Sequence, residues 1–196
     1  MPDIKHFDPD EVLERVERLF WQRGAAATGI AEVVAATGLS RSSLYATYGG
    51  KQDLYVKALR RYVEQRSQPM FEALSGDGRG LPAIAAFFDR LIEARCAGEH
   101  ARWGCMATNA NAEGTDPDVR RLLDRHHDRL RAGMRAALAA AEAQGQLRPG
   151  ADLDASAELL ALLAYGVNTR SRAGADPDAL RKGASAALDS LRRENP

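Results

Sequence analysis

The sequence has no excess of charge of either sign: 27 Lys and Arg stand against 27 Asp and Glu in 196 residues. A strongly basic chain advertises nucleic-acid binding in its total; here any basic footprint has to be local. There are two cysteines, Cys96 and Cys105. Their spacing fits no zinc site. With no secretory leader, a reducing cytoplasmic setting is expected. β-Branched residues are few, and no stretch alternates apolar and polar long enough for a strand. The longest apolar run, near Leu159 to Val167, is too short to span a bilayer. Internal repeats, low-complexity tracts and disordered linkers are lacking too.

What is abundant is Ala, Leu, Arg and Glu, which favours helix, and 45% of the residues are hydrophobic, enough for a substantial core. The expected class is all-α. Residues 1–8 are polar and expected to be loose. A first helix runs from Pro9 to about Arg23, capped by Asp8, with Val12, Val16, Leu19 and Phe20 as its apolar stripe. A second covers Ile30 to Thr37. A fourth runs from about Lys51 to Gln68, where Pro69 is expected to end or bend it. A glycine-rich break over 75–80 follows. A fifth helix covers about Leu81 to Ala97, and a short one ends near Glu113. The longest runs from Asp116-Pro117 to about Gln144. Two more cover about Leu153 to Arg172 and Pro177 to Arg193.

Between the second and fourth helices lies Gly38-Leu39-Ser40-Arg41-Ser42-Ser43-Leu44-Tyr45-Ala46-Thr47-Tyr48-Gly49-Gly50-Lys51. Gly38 suits the left-handed end of a helix, and Ser40 suits the cap of the next. That next helix is only about two turns long. Leu44 and Tyr48, four apart, point back to the body. Its other face carries Arg41, Ser42, Ser43, Tyr45 and Thr47, short polar donors beside one cation, suited to phosphates and base edges. Three helices with a tight turn before the third make a helix-turn-helix head. Charge supports this: residues 41–66 carry six basic residues against two acidic ones, whereas residues 1–40 carry four against seven.

This stretch resembles the signature of the TetR/AcrR family of bacterial transcription regulators: Gly38-Leu39-Ser40, Arg41, two small residues, Leu44-Tyr45, two variable positions, Tyr48 and Lys51. Upstream, Gly24, Thr28 and Ile30-Ala31-Glu32-Val33-Val34 are similar to the family's second helix. Trp103-Gly104-Cys105-Met106 and Gly145-Gln146-Leu147-Arg148-Pro149 resemble segments of one branch of it. Two departures stand out. Gly49-Gly50 replaces the Ser or Pro-Ser of many members, which leaves that corner more flexible, and Ala46 offers no hydrogen bond.

The resemblance implies about nine helices, with a DNA-binding head over residues 1–50 and a ligand-binding and dimerisation domain over 51–196. It implies a repressor released from a palindromic double-stranded DNA operator by a small-molecule effector, with no cofactor and no metal. DNA contacts are expected from Thr28, Ser40, Arg41, Ser42, Ser43, Tyr45, Thr47 and Lys51. Thr28 is equally well a simple cap. Phe87, Phe88, Leu91, Trp103, Cys105, Met106, Asn109 and His126 are candidates for an effector pocket, although aromatic and Met residues at helical spacing also build ordinary core. Cys105 is either a small buried hydrophobe or a redox or electrophile sensor, the latter requiring a helix start and a cation such as Arg102. An effector-independent DNA-binding protein is the further alternative. A Cys105–His126 or Cys105–His127 pair lacks a third orienting residue, so no enzyme is expected. Adjacent His126 and His127 point about a hundred degrees apart and, with His100, make a poor metal site. In the last two helices, the leucines from 159 to 163 cover too wide an arc for one buried side. Ala161, Ala164, Ala184 and Ala187 would allow close approach, so a homodimer through a four-helix interface is expected.

Overall fold

The computed structural model describes residues 7–113 and 116–193. The loose start expected over residues 1–8 therefore lies outside the described residues up to residue 6. The described residues form α1 (Pro9–Arg23), α2 (Ile30–Thr37), α3 (Arg41–Tyr48), α4 (Lys51–Tyr62), a π-helical turn (Val63–Ser67), α5 (Gln68–Gly76), α6 (Leu81–Cys96), α7 (Met106–Glu113), α8 (Pro117–Ala143), α9 (Leu153–Arg172) and α10 (Pro177–Asp189). Among the described residues the one β-bridge is isolated and antiparallel, Leu147 with Arg192.

Caps set the boundaries. The carboxylates of Asp8, Asp116, Asp152 and Asp176 accept from the first free N–H groups of α1, α8, α9 and α10. In α1, α8 and α10 a proline stands at the helix start, where its missing N–H costs nothing. Gly38 takes the left-handed conformation (φ 72°) that closes α2 and turns the chain into α3.

Pro69 does not end the fourth helix. The wide π-turn just before it, closed by Gln68 N–H to Val63 C=O, loosens the carbonyl ladder that the proline ring would otherwise meet. The rod therefore continues as α5 to Gly76, into the expected break. Counting α4, the π-turn and α5 as one rod gives nine helical rods among the described residues. α10 also stops earlier than expected, at Asp189. The chain after it folds back, with Arg148 N–H on Leu191 C=O and Arg193 N–H on Gln146 C=O.

Two apolar clusters fill the interior. One joins α1 to α4 with α7 and the first turns of α8, through Val16, Phe20, Val33, Leu44, Leu54, Leu59, Met106 and Leu122. The other joins α5, α6, α8, α9 and α10, through Phe71, Ile84, Phe88, Met134, Leu138 and Leu160. Trp21, missed by the sequence stripe, belongs to the first cluster. Its indole N–H donates to Gly104 C=O at 3.0 Å. His100 stacks on its ring, and Trp103 and Tyr62 meet it edge-on.

Candidate functional site

The head is held from inside. Leu44 and Tyr48 are buried, and the Tyr48 hydroxyl donates to Pro9 C=O. This pins α3 against α1 and turns the opposite face out. Arg41, Ser42, Tyr45 and Ala46 are exposed there, with Ser43 and Thr47 half-buried at the flank. Ser40 Oγ accepts from Ser43 N–H at 3.1 Å and also bonds the Ser42 and Ser43 hydroxyls. The Arg41 guanidinium lies over the Tyr45 ring, 5.5 Å from its centre. Lys51 opens α4 and is half-buried.

Thr28 departs from expectation. It is fully buried, and its hydroxyl donates to Gly24 C=O at 2.6 Å. It fastens the α1–α2 loop and has no surface to offer a phosphate; Gly29 is the residue that caps α2.

The basic footprint is smaller than the sequence count. Glu17 is fully buried in α1 and accepts from Arg61 and from Arg66, each at 2.7 Å. Those two cations are used internally, to bind the head to the rod of α4 and the π-turn. Arg41, Lys51, Lys57 and Arg60 remain, and the Lys57 ammonium already donates to Tyr48 C=O at 3.4 Å.

The corner after α3 is pinned, contrary to the flexibility expected of two glycines. Gly49 has φ 86° and ψ −129°, and a Cβ there would stand 2.5 Å from Asp53 Oδ2. Only glycine fits this conformation readily. The Asp53 carboxylate caps α4 by accepting from Gly50 N–H at 2.8 Å.

In the helices after α3, Phe87, Leu91, Cys105 and His126 line one small cavity with Ser67, Met70, Phe71, Arg95, Leu130, Ala164, Tyr165 and Asn168. Its volume is about 20 Å³, room for about one water. The other expected pocket residues are elsewhere. Phe88 packs into the core, edge-on to Phe87. Trp103 stands against Trp21, Met106 is core of the first cluster, and the Asn109 amide donates to Trp103 C=O.

Sequence reasoning missed Arg95. It continues the stripe of Phe88, Leu91 and Ile92 at helical spacing, which was the available signal. It is 6% exposed. Its Nε donates to Asn168 Oδ1 at 2.8 Å, and its Nη2 donates to Tyr62 Oη at 3.1 Å. Cys105 lies close to both Arg95 and Tyr62, so the cation beside its sulfur is Arg95, not Arg102. Burial pushes the Tyr62 phenol far up, with the Arg95 charge opposing. Burial also pulls His126 down to about 4, helped by His127 and Arg95, so its ring is neutral near pH 7. His127 lies nearer the surface, against Glu158 and the Tyr165 ring. His100 stands on Trp21, away from both.

The α9–α10 surface carries a second apolar face. Leu159 and Leu162 are 50% and 55% exposed while Leu160 is fully buried. Of the four alanines expected there, Ala161, Ala164 and Ala184 are buried in the protomer's own core and Ala187 is half-buried. Gly166, Ala179, Gly183 and Ala186 are exposed on the outer side. No helix among the described residues is long and apolar enough to cross a membrane.

Residues 12–58 match the family described as "Bacterial regulatory proteins, tetR family", and residues 80–187 match "Tetracyclin repressor-like, C-terminal domain". The chain is 32% identical over 155 residues to the HTH-type transcriptional regulator YezE of Bacillus subtilis, covering 78% of this chain and 79% of that protein. It is 27% identical over 187 residues to the HTH-type transcriptional repressor ComR of Escherichia coli, covering 94% and 89%. Its fold is similar to that of a cysteine-substituted variant of the regulator CifR complexed with 26-base-pair operator DNA. There the TM-score is 0.83 and the identity 24%, covering 95% of this chain and 98% of that one.

Proposed function

The chain belongs to the TetR family, as a DNA-binding transcriptional regulator, and on that premise we propose a cytoplasmic homodimeric repressor released from a palindromic operator by a small-molecule effector. The observation that carries the reading is the outward face of α3, held rigidly by buried Leu44 and Tyr48. Arg41, Ser42 and Ser43 occupy its first turn and are assigned to base edges in the major groove. Ser40, Tyr45, Thr47 and Lys51 are assigned to phosphates, which set position and not sequence. A two-fold dimer demands two half-sites about 34–36 Å apart, or a multiple of that. The exposed Leu159 and Leu162 with Gly166 and Gly183 supply a self-complementary surface for it.

The division at residue 50 separates reading from sensing, and α4 belongs to both. Its first turn touches the head, and its continuation through the π-turn walls the internal cavity. An effector that binds one arrangement of that wall better than the other shifts the spacing of the two heads; a coupling of about 1–3 kcal/mol suffices. A thiol sensor is the second reading, favoured by the contact of Cys105 with the buried Arg95 guanidinium. Operator release separates the two. The reversible effector still releases Cys105→Ser, whereas oxidant or electrophile releases only the wild type. A protein that stays bound under both treatments refutes the effector-released repressor.

A further inference from the structure

The internal cavity holds a positive charge with no counter-charge. Arg95 is buried, and its hydrogen-bond partners Asn168 and Tyr62 are both neutral. Among the described residues no Asp or Glu lies within ion-pair distance of it. Neutral oxygens satisfy the direction of its N–H bonds without cancelling its charge. The same chain does compensate a buried charge elsewhere: Glu17 has two arginines. A second group faces the same cavity in want of a partner. His126 is 3% exposed, and neither ring nitrogen has a hydrogen bond. The remaining lining is mostly apolar: Met70, Phe71, Phe87, Leu91 and Leu130.

We propose that this cavity is the site of a small monoanionic organic acid, its carboxylate set between the Arg95 guanidinium and a His126 ring N–H. The inference rests on reading this half of the molecule as effector-binding. One fixed cation beside a neutral imidazole balances one negative charge, so a monocarboxylate fits and a phosphate dianion does not. The apolar body lies against Phe71, Phe87, Leu91 and Leu130. At about 20 Å³ the cavity has room for about one water, so the acid enters only as a wall moves. Ser67, Met70 and Phe71 form the wall that can yield, because they stand on the π-turn and the start of α5, where the helical ladder is loosened. Arg66 lies in that same turn and holds Glu17 of α1. Opening the wall for the acid therefore pulls on the head.

The test is calorimetry on the full-length protein with matched acids and amides: benzoate with benzamide, 3-phenylpropionate with 3-phenylpropionamide, and hexanoate with hexanamide. At least one acid binds, and its amide binds about tenfold more weakly or worse, the scale of a charge-assisted hydrogen bond. Arg95→Met loses the preference for the acid and Arg95→Lys keeps part of it. If Arg95→Met does not fold, Arg95→Gln against Arg95→Lys makes the same comparison. The proposal fails if no acid binds, if amides match acids, or if the preference survives loss of the positive charge. Operator affinity of the ligand-free wild type is measured in parallel. Operator binding without acid binding overturns the acid site alone, and acid binding without operator binding overturns only the regulator reading.

Discussion

Replacing Glu17 with Gln removes the buried charge that two arginines share, while keeping the shape of the side chain. Stripping one partner from a buried ion pair costs about 3–5 kcal/mol. Here the surviving partners are not sealed in: the Arg61 and Arg66 side chains are 16% and 31% exposed. Water recovers part of their solvation, so about 2–3 kcal/mol of destabilisation is expected. For a chain of this size that lowers Tm by roughly 5–10 °C. Glu14 is the control. It lies one turn earlier, is 42% exposed, and meets Arg18 and Arg61 at 3.3 and 3.5 Å. Glu14→Gln should therefore cost less than about 1 kcal/mol. Thermal unfolding of both variants followed by circular dichroism makes the comparison. If the two melt together, the buried pairing does not hold α1 to the rod, and the proposed path from cavity to head loses its link.

Gly49→Ala should destabilise by about 1–3 kcal/mol in urea unfolding, because its φ of 86° is strained for alanine and the new methyl displaces Asp53. Gly50→Ala, at φ −91° with 3.6 Å to Asp53, should change stability by less than about 0.5 kcal/mol. The double variant Leu159→Glu, Leu162→Glu should sediment as a folded monomer at concentrations where the wild type is a dimer, since both side chains already face out of the protomer. His126 makes stability acid-sensitive. Its folded pKa of about 4 lies below the ordinary 6.5, so between those values the unfolded chain binds the extra proton. Stability is full above pH 6.5 and is lost as pH falls toward 4, by about 3 kcal/mol in all. His126→Phe should flatten that window in pH-dependent urea unfolding; an unchanged slope assigns it to other groups.

Much of the fold was legible because capping is local chemistry. Asp8-Pro9, Asp116-Pro117 and Asp176-Pro177 announce helix starts in consecutive residues, and Gly38 with Ser40 announces the turn. The outward face of α3 followed from the same logic, since Leu44 and Tyr48 fix which side is left over. What stayed hidden depends on distant partners. Pro69 reads as an end or a bend unless the π-turn before it is known, and a π-turn has no sequence signature of its own. Glu17 and Arg95 sit inside apolar stripes, at the spacing of Val16 and Phe20 and of Leu91 and Ile92. A charge there signals a buried partner, but nothing local names Arg66 for one, or shows that the other has no carboxylate. Thr28 illustrates the reverse error. A threonine before a helix suits a phosphate contact in pattern, yet its hydroxyl is turned inward to Gly24. Three of the four alanines named in α9 and α10 face inward, because so many small residues occupy both faces that the pattern does not say which is outward.

The central claim is that a dimer reads DNA through the exposed first turn of α3. Footprinting on the operator, with wild type and Arg41→Ala side by side, tests it most directly. Two protected half-sites about 34–36 Å apart, or a multiple, are predicted for the wild type, and their loss in an Arg41→Ala protein of unchanged Tm. A single protected patch, or undiminished protection by folded Arg41→Ala, would contradict the account.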